Sequence, residues 1–158
     1  METNVYEKIV FEEKREEFEK FRSLLLEYNE KYNLTSITEE KDIYYKHFLD
    51  SVIGERFFKE GARVCEIGSG AGFPSIPLKI LRPDLKLDLF ESVGKKCAFL
   101  QAVVDNFQFK DVHIYNIRAE EGAKSVDFRE KYDHATARAV ARMNTLSEYC
   151  LPFVKVGG

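Results

Sequence analysis

Tryptophan is absent from this 158-residue chain, and cysteine occurs only three times, as Cys65, Cys97 and Cys150. An odd, widely spaced set of cysteines embedded in apolar runs provides neither a disulfide framework nor metal-ligand pairs. These residues are expected to be small buried hydrophobes in a reducing compartment, and no metal site is expected. No apolar run approaches the roughly 20 residues a membrane-spanning helix needs. Met1-Glu2-Thr3-Asn4 lacks the basic segment and apolar core of a secretory leader, so the protein is expected to be cytoplasmic. Excess positive charge is missing too. The formal net charge is −3 and the sequence pI about 5.7, the opposite of what a nucleic-acid binder usually shows. A local basic face built from Lys95, Lys96, Arg118, Arg138 and Arg142 remains open to an acidic chain.

What is present suits a globular protein: 44% of residues are hydrophobic and 32% charged, enough for one domain with a core and a small appendage. Phe18, Phe21, Leu25, Tyr28 and Tyr32 recur at spacings of three and four and predict an amphipathic helix. Ser36-Ile37-Thr38-Glu39 supplies a helix N-cap signal, and a second short helix is expected through His47 to about Phe58. Residues 1–58 are therefore expected to form an N-terminal helical extension, and residues 59–158 a second unit. From residue 63 the pattern changes to short β-type runs alternating with helices. Strands are expected at 63–67, 85–90, 112–115 and, more weakly, 132–137, and helices at 74–81, 94–107 and 145–151. This alternation predicts an α/β fold with a parallel sheet flanked by helices. The fourth strand would leave an open apolar edge, so further C-terminal strands are expected to lie beyond these 158 residues.

The most informative segment is Glu66-Ile67-Gly68-Ser69-Gly70-Ala71-Gly72, between a predicted strand and a predicted helix. Gly68, Gly70 and Gly72 allow a tight turn and a close approach of a ligand to the backbone. A dinucleotide fingerprint would place its third glycine where Phe73 stands, which favours a cofactor without phosphate. Glu66 beside the loop suits the sulfonium and amino group of S-adenosylmethionine and would repel a pyrophosphate. Glu91 ends the second strand, 23 positions beyond Gly68 (91 − 68). That is near the roughly 20-residue spacing of a ribose-binding acid, whose carboxylate accepts bonds from both ribose hydroxyls.

Several motifs together resemble the bacterial glucose-inhibited division protein B family: Tyr32-Asn33-Leu34-Thr35-Ser36, Lys46-His47-Phe48-Leu49-Asp50-Ser51, the glycine loop through Phe73-Pro74, Ser92-Val93-Gly94-Lys95-Lys96, and Arg138-Ala139. The resemblance runs in order from about residue 20. It implies a Rossmann-like class I methyltransferase that uses S-adenosylmethionine to methylate guanine N7 in 16S RNA of the small ribosomal subunit. The RNA or the 30S subunit would be the partner. By the same similarity Gly68 and Phe73 contact the cofactor, Glu91 holds its ribose, and Ala119 and Glu120 border its adenine. Arg138 lines the cofactor and substrate pocket and is the one catalytic candidate. Ser75 stands where the family commonly has glycine, and the family continues past the final glycines into a Lys-Gly strand and further sheet.

Guanine N7 carries no proton, so the implied reaction needs no general base, and His47 is expected to serve packing or a buried hydrogen bond. Arg138, at a strand end, is expected to pair with the cofactor carboxylate, guanine O6 or a phosphate rather than with the sulfonium. Three alternatives stay open on sequence alone: a methyltransferase acting on a small molecule or protein, a nicotinamide oxidoreductase, and a non-catalytic nucleoside-binding or ribosome-associated protein.

Overall fold

The computed structural model describes residues 2–138 and 142–158, and the side chains from residue 5 onward within that range. Positions 1 and 139–141 lie outside the described residues, and with them Ala139 of the Arg138-Ala139 motif. The chain opens with α1 (Glu2–Lys8), a π-helical stretch (Ile9–Glu13) and α2 (Arg15–Tyr32). Then α3 (Glu40–Asp42), a second π-helical stretch (Ile43–Leu49) and α4 (Asp50–Val52) run on as one rod. A 3₁₀ turn at Glu55–Phe57 follows. The expected second helix is therefore present but breaks after Val52. Its start differs as well: Glu39 precedes the first helical residue and makes no side-chain cap bond. The nearby hydroxyl that does bond locally is Thr35, which accepts from the Ile37 N–H at 3.1 Å.

From residue 63 the chain alternates as its sequence pattern implies. This stretch comprises β1 (Arg63–Ile67), α5 (Ser75–Leu81), β2 (Lys86–Phe90), α6 (Gly94–Phe107), β3 (Val112–Tyr115), α7 (Ala119–Lys124), β4 (His134–Ala137) and α8 (Met143–Cys150). All pairings among the four strands are parallel, in the order β3-β2-β1-β4. Short apolar strands buried on both faces need helices on each side: α5 and α6 cover one face, and α7 and α8 pack against the other. The run from 112 to 115 and the helix from 94 to 107 match the sequence expectation. β4 is shorter, beginning at His134, because Tyr132 instead forms an isolated parallel bridge with Val154.

Two apolar clusters flank the sheet. The larger joins the N-terminal helices to one sheet face, with Phe18, Phe21, Leu25, Phe48, Ile76 and Phe99 all fully buried. The expected α2 stripe thus buries its first three members against the sheet layer, and Tyr28 stays half-buried. Arg82 ties the end of α5 to the segment 55–59: its guanidinium bonds Glu55 at 3.1 Å and Asp84 at 2.7 Å and also donates to the carbonyls of Phe58 and Lys59. The smaller cluster, on the other face, centres on Cys65, Ile67, Phe90, Tyr132 and Phe153. Cys65 is fully buried, Cys97 and Cys150 are half-buried, and all three thiols are free. No helix among the described residues is long and apolar enough to cross a membrane.

Candidate functional site

Open parallel sheets gather ligands beyond the C-terminal ends of their strands, and there the glycine loop folds onto the end of β2. The N–H groups of Gly68 and Ser69 both donate to the Phe90 carbonyl, at 2.9 and 3.1 Å. Gly68, Gly70 and Gly72 take left-handed φ values of 64°, 54° and 85°, a region side-chain-bearing residues rarely adopt. The Glu91 carboxylate pins the loop, accepting the Gly70 N–H at 2.7 Å on one oxygen and the Val93 N–H at 3.0 Å on the other. It is 5% exposed. Each oxygen keeps a further lone pair that can accept a hydroxyl.

Two adjoining cavities open over this loop and meet at Gly68 and Ser92. The first, about 430 Å³, is lined by Gly68, Ser69, Gly70, Ala71, Phe73, Glu91, Ser92, Val93, Lys96 and Arg138, and by Leu34, Thr35 and His47 of the N-terminal extension. The second, about 230 Å³, lies between Ile67, Phe90, Ile117, Arg118, Ala119, Glu120 and Tyr149. The structure thus brings Gly68, Gly70, Phe73, Glu91 and Arg138 to one chamber, and Ala119 and Glu120 to the next. A third cavity of about 590 Å³ beside β4 shares Arg138 but is walled mainly by apolar side chains such as Phe57, Leu78, Met143, Leu146 and Leu151. Convergent polar groups belong to the smaller pair, which makes it the candidate site.

Two of the expected site residues sit elsewhere. Gly72 lines neither of the paired cavities: a Cβ there would stand 2.5 Å from Ile76 Cγ1 and 3.2 Å from Leu100 Cδ2. Its role is close packing of the loop against α5 and α6. Glu66 is 1% exposed and also lines neither chamber. Its carboxylate turns toward α5, accepting the Ser75 N–H at 2.8 Å and the Ser75 hydroxyl at 2.9 Å. Burial pushes its pKa up to about 7 although the Ser75 bonds oppose the rise. The expected electrostatic service to a sulfonium is replaced by a cap on a helix N-terminus. That arrangement also bears on the oxidoreductase alternative, because a dinucleotide's pyrophosphate rests on the first N–H groups of this helix. Here a carboxyl group already takes that donor. Ser75, the departure from the family's glycine, adds a second bond to the same carboxyl group.

Arg138, just past β4, reaches across to the N-terminal extension. It forms an ion pair with Asp50 at 3.2 Å, donates to the Ser51 hydroxyl at 3.4 Å and to the Lys46 carbonyl, and lies 5.8 Å over the Phe73 ring. His47, expected to serve packing or a buried hydrogen bond, does both and also lines the first chamber. Its ring stacks on Phe73 at 4.3 Å with 8° between the planes, and Nε2 bonds Thr35 Oγ1 at 3.0 Å. Burial, reinforced by the Arg138 charge, lowers its pKa to about 4. The available signal was the pairing of Lys46-His47 with Asp50-Ser51, polar residues three and four apart on one helical face. Of the expected basic face, Lys96 and Arg138 line the first chamber and Arg118 the second, while Lys95 and Arg142 are exposed. Among the described residues no group of three or more His, Cys, Asp or Glu is placed to hold a metal.

Comparison with known proteins agrees with this geometry. The family model described as rRNA small subunit methyltransferase G matches residues 14–158. Proteins named ribosomal RNA small subunit methyltransferase G are similar in sequence. The one from Lactobacillus acidophilus is 49% identical over 152 residues, covering 93% of this chain and 63% of that protein. The one from Staphylococcus aureus is 48% identical over 149 residues, covering 93% and 62%. The chain therefore spans a little under two thirds of the length of these relatives. Among solved structures, a SAM-dependent methyltransferase from Aquifex aeolicus superposes with a TM-score of 0.55 at 18% identity, covering 73% of this chain and 63% of that one. The precorrin-6y C5,15-methyltransferase of Geobacter metallireducens gives 0.55 at 16% identity, covering 80% and 63%. At such identities these two likenesses establish the Rossmann-like fold.

Proposed function

Because the chain belongs to the rRNA small subunit methyltransferase G family, we propose that it binds S-adenosylmethionine and transfers its methyl group to N7 of a guanine in small-subunit ribosomal RNA. The observation that carries the reading is the pair of chambers meeting at Gly68 and Ser92, with the Glu91 carboxylate lining the first of them. The residues fit a phosphate-free nucleoside. Glu91 has acceptor capacity for two sugar hydroxyls, Ala119 and Glu120 border a slot for the base, and the glycine loop takes the amino-acid end. The helix N-terminus that a pyrophosphate would need is already capped by Glu66.

When bound, the cofactor supplies a methyl group on a positively charged sulfur. The protein's part is placement. Gly68 and Gly70 hold the loop backbone open to the ligand, and Glu91 fixes the loop through Gly70 and Val93. Arg138 is anchored by Asp50 and offers its remaining N–H groups to an anionic or carbonyl acceptor, a cofactor carboxylate or guanine O6. No residue need remove a proton, since N7 carries none. Alignment of acceptor and methyl group is worth up to about 7–11 kcal/mol when ideal. The test is methyl transfer to deproteinised 16S RNA and to intact 30S subunits, followed by nucleoside mass spectrometry. N7-methylguanosine appearing in either substrate supports the proposal. A protein that binds the cofactor yet labels neither RNA would contradict it and favour the small-molecule or nucleoside-binding alternatives.

A further inference from the structure

Leu34, Thr35 and His47 of the N-terminal extension line the first chamber together with the glycine loop. Phe73 meets Phe21 and Phe48 at centroid distances of 5.6 and 6.2 Å, while its close parallel partner is the His47 ring at 4.3 Å. The imidazole is itself held. Thr35 Oγ1, bonded to Nε2, also accepts the Ile37 N–H, and the Thr35 N–H donates to the Asn29 side chain at 2.9 Å. Nδ1 is enclosed and has no hydrogen-bond partner. A proton there would be a buried donor left unsatisfied, whereas a bare lone pair costs less. Either neutral tautomer can bond Thr35, whereas a doubly protonated ring would bury an Nδ1–H with no acceptor.

The same helical turn aims Arg138. The Lys46 carbonyl, the Asp50 carboxylate and the Ser51 hydroxyl all engage its guanidinium, and Ser51 donates back to the His47 carbonyl. A cationic imidazole in this wall would face Arg138 and would also stand beside the chamber assigned above to a sulfonium.

We infer that His47 is a positioning residue of the methyl-donor chamber: an uncharged ring that fixes Phe73 against the glycine loop, orders the turn holding Arg138, and keeps positive charge away from the cofactor's sulfur. The inference rests on the proposed cofactor, so the test separates the two. Calorimetric titration of the purified chain with S-adenosylmethionine and with S-adenosylhomocysteine is carried out for wild type, His47→Ala, His47→Phe and His47→Lys. Loss of the ring in His47→Ala should weaken both ligands about 3- to 10-fold, the size of one aromatic pair. Restoring a ring in His47→Phe should return both to within about threefold of wild type by the same reasoning. His47→Lys should favour the uncharged homocysteine product over the sulfonium by about threefold or more, as expected of unit charges roughly 10 Å apart in a partly watered cavity. A purely structural residue would not move that ratio. Should His47→Ala fail to fold, the Phe and Lys variants still decide. The inference falls if His47→Ala binds both ligands as wild type does, if His47→Phe is as weak as His47→Ala, or if the Lys ratio equals wild type. Wild type that binds neither ligand overturns the cofactor assignment itself.

Discussion

Replacing Glu91 by glutamine alters one atom in size and charge but reverses one hydrogen-bonding direction. In the native protein both carboxylate oxygens accept, from Gly70 at 2.7 Å and Val93 at 3.0 Å. The amide group of glutamine must present an N–H₂ to one of these backbone donors, leaving that N–H unsatisfied in a pocket where the side chain is 5% exposed. An orphaned buried donor costs about 1–3 kcal/mol. The bond from one ribose hydroxyl also loses its ionised acceptor, worth about 1.5–3 kcal/mol when present. Part of the first cost falls on the free protein as well as on the complex, so the net loss of cofactor binding is taken as about 2–4 kcal/mol, or roughly 30- to 700-fold in Kd. Calorimetry with S-adenosylhomocysteine measures it, with Glu120→Gln as the comparison, because Glu120 is exposed at the rim of the second chamber. A Glu91→Gln variant that folds and binds within threefold of wild type would refute the ribose role.

Gly72→Ala tests packing rather than binding. A methyl group at φ 85°, 2.5 Å from Ile76 Cγ1, should cost about 2–4 kcal/mol of stability from backbone strain and overpacking together, read from urea unfolding; a loss below about 0.5 kcal/mol would contradict the contact. Glu66 predicts a pH dependence. Its folded pKa is raised from 4.5 to about 7, so the native state holds its proton more tightly than the unfolded chain. The stability this contributes is fully present below about pH 4.5 and is lost as pH rises through about 7. Urea midpoints measured across that window should fall more steeply for wild type than for Glu66→Gln, and parallel curves would refute it. Arg138→Ala should lower methyl transfer to RNA by at least about tenfold if one charged hydrogen bond to the reacting complex is lost; unchanged transfer and unchanged cofactor affinity would remove it from the site.

Much of the sheet was legible because its signals are local. The apolar run Arg63–Ile67 with the glycines after it, the spaced Cys97, Leu100, Val103, Val104 and Phe107 of α6, and Val112–Tyr115 each carry their own period and their own stop signal. The chamber at the strand ends followed, since Gly68 and Glu91 are placed by β1 and β2 themselves. What escaped is decided by partners distant in sequence. Glu66 and Ser75 are nine positions apart, yet only the loop's left-handed turns bring the carboxyl group beneath α5. His47 and Thr35 form a wall because α2 and the following rod pack across the sheet face; the spacing of Lys46, His47, Asp50 and Ser51 marks a polar helical face but not what that face packs against. The break at Gly54 and the short helix α7 were missed because neither has enough periodic residues to stand out.

The most direct measurement is calorimetric titration of the purified chain with S-adenosylmethionine and S-adenosylhomocysteine in wild type and Glu91→Gln side by side. Wild type should bind both ligands at one site per chain, and the variant should bind them at least about 30-fold more weakly. No heat of binding from a folded wild-type protein, or equal affinity in the two proteins, would contradict this expectation.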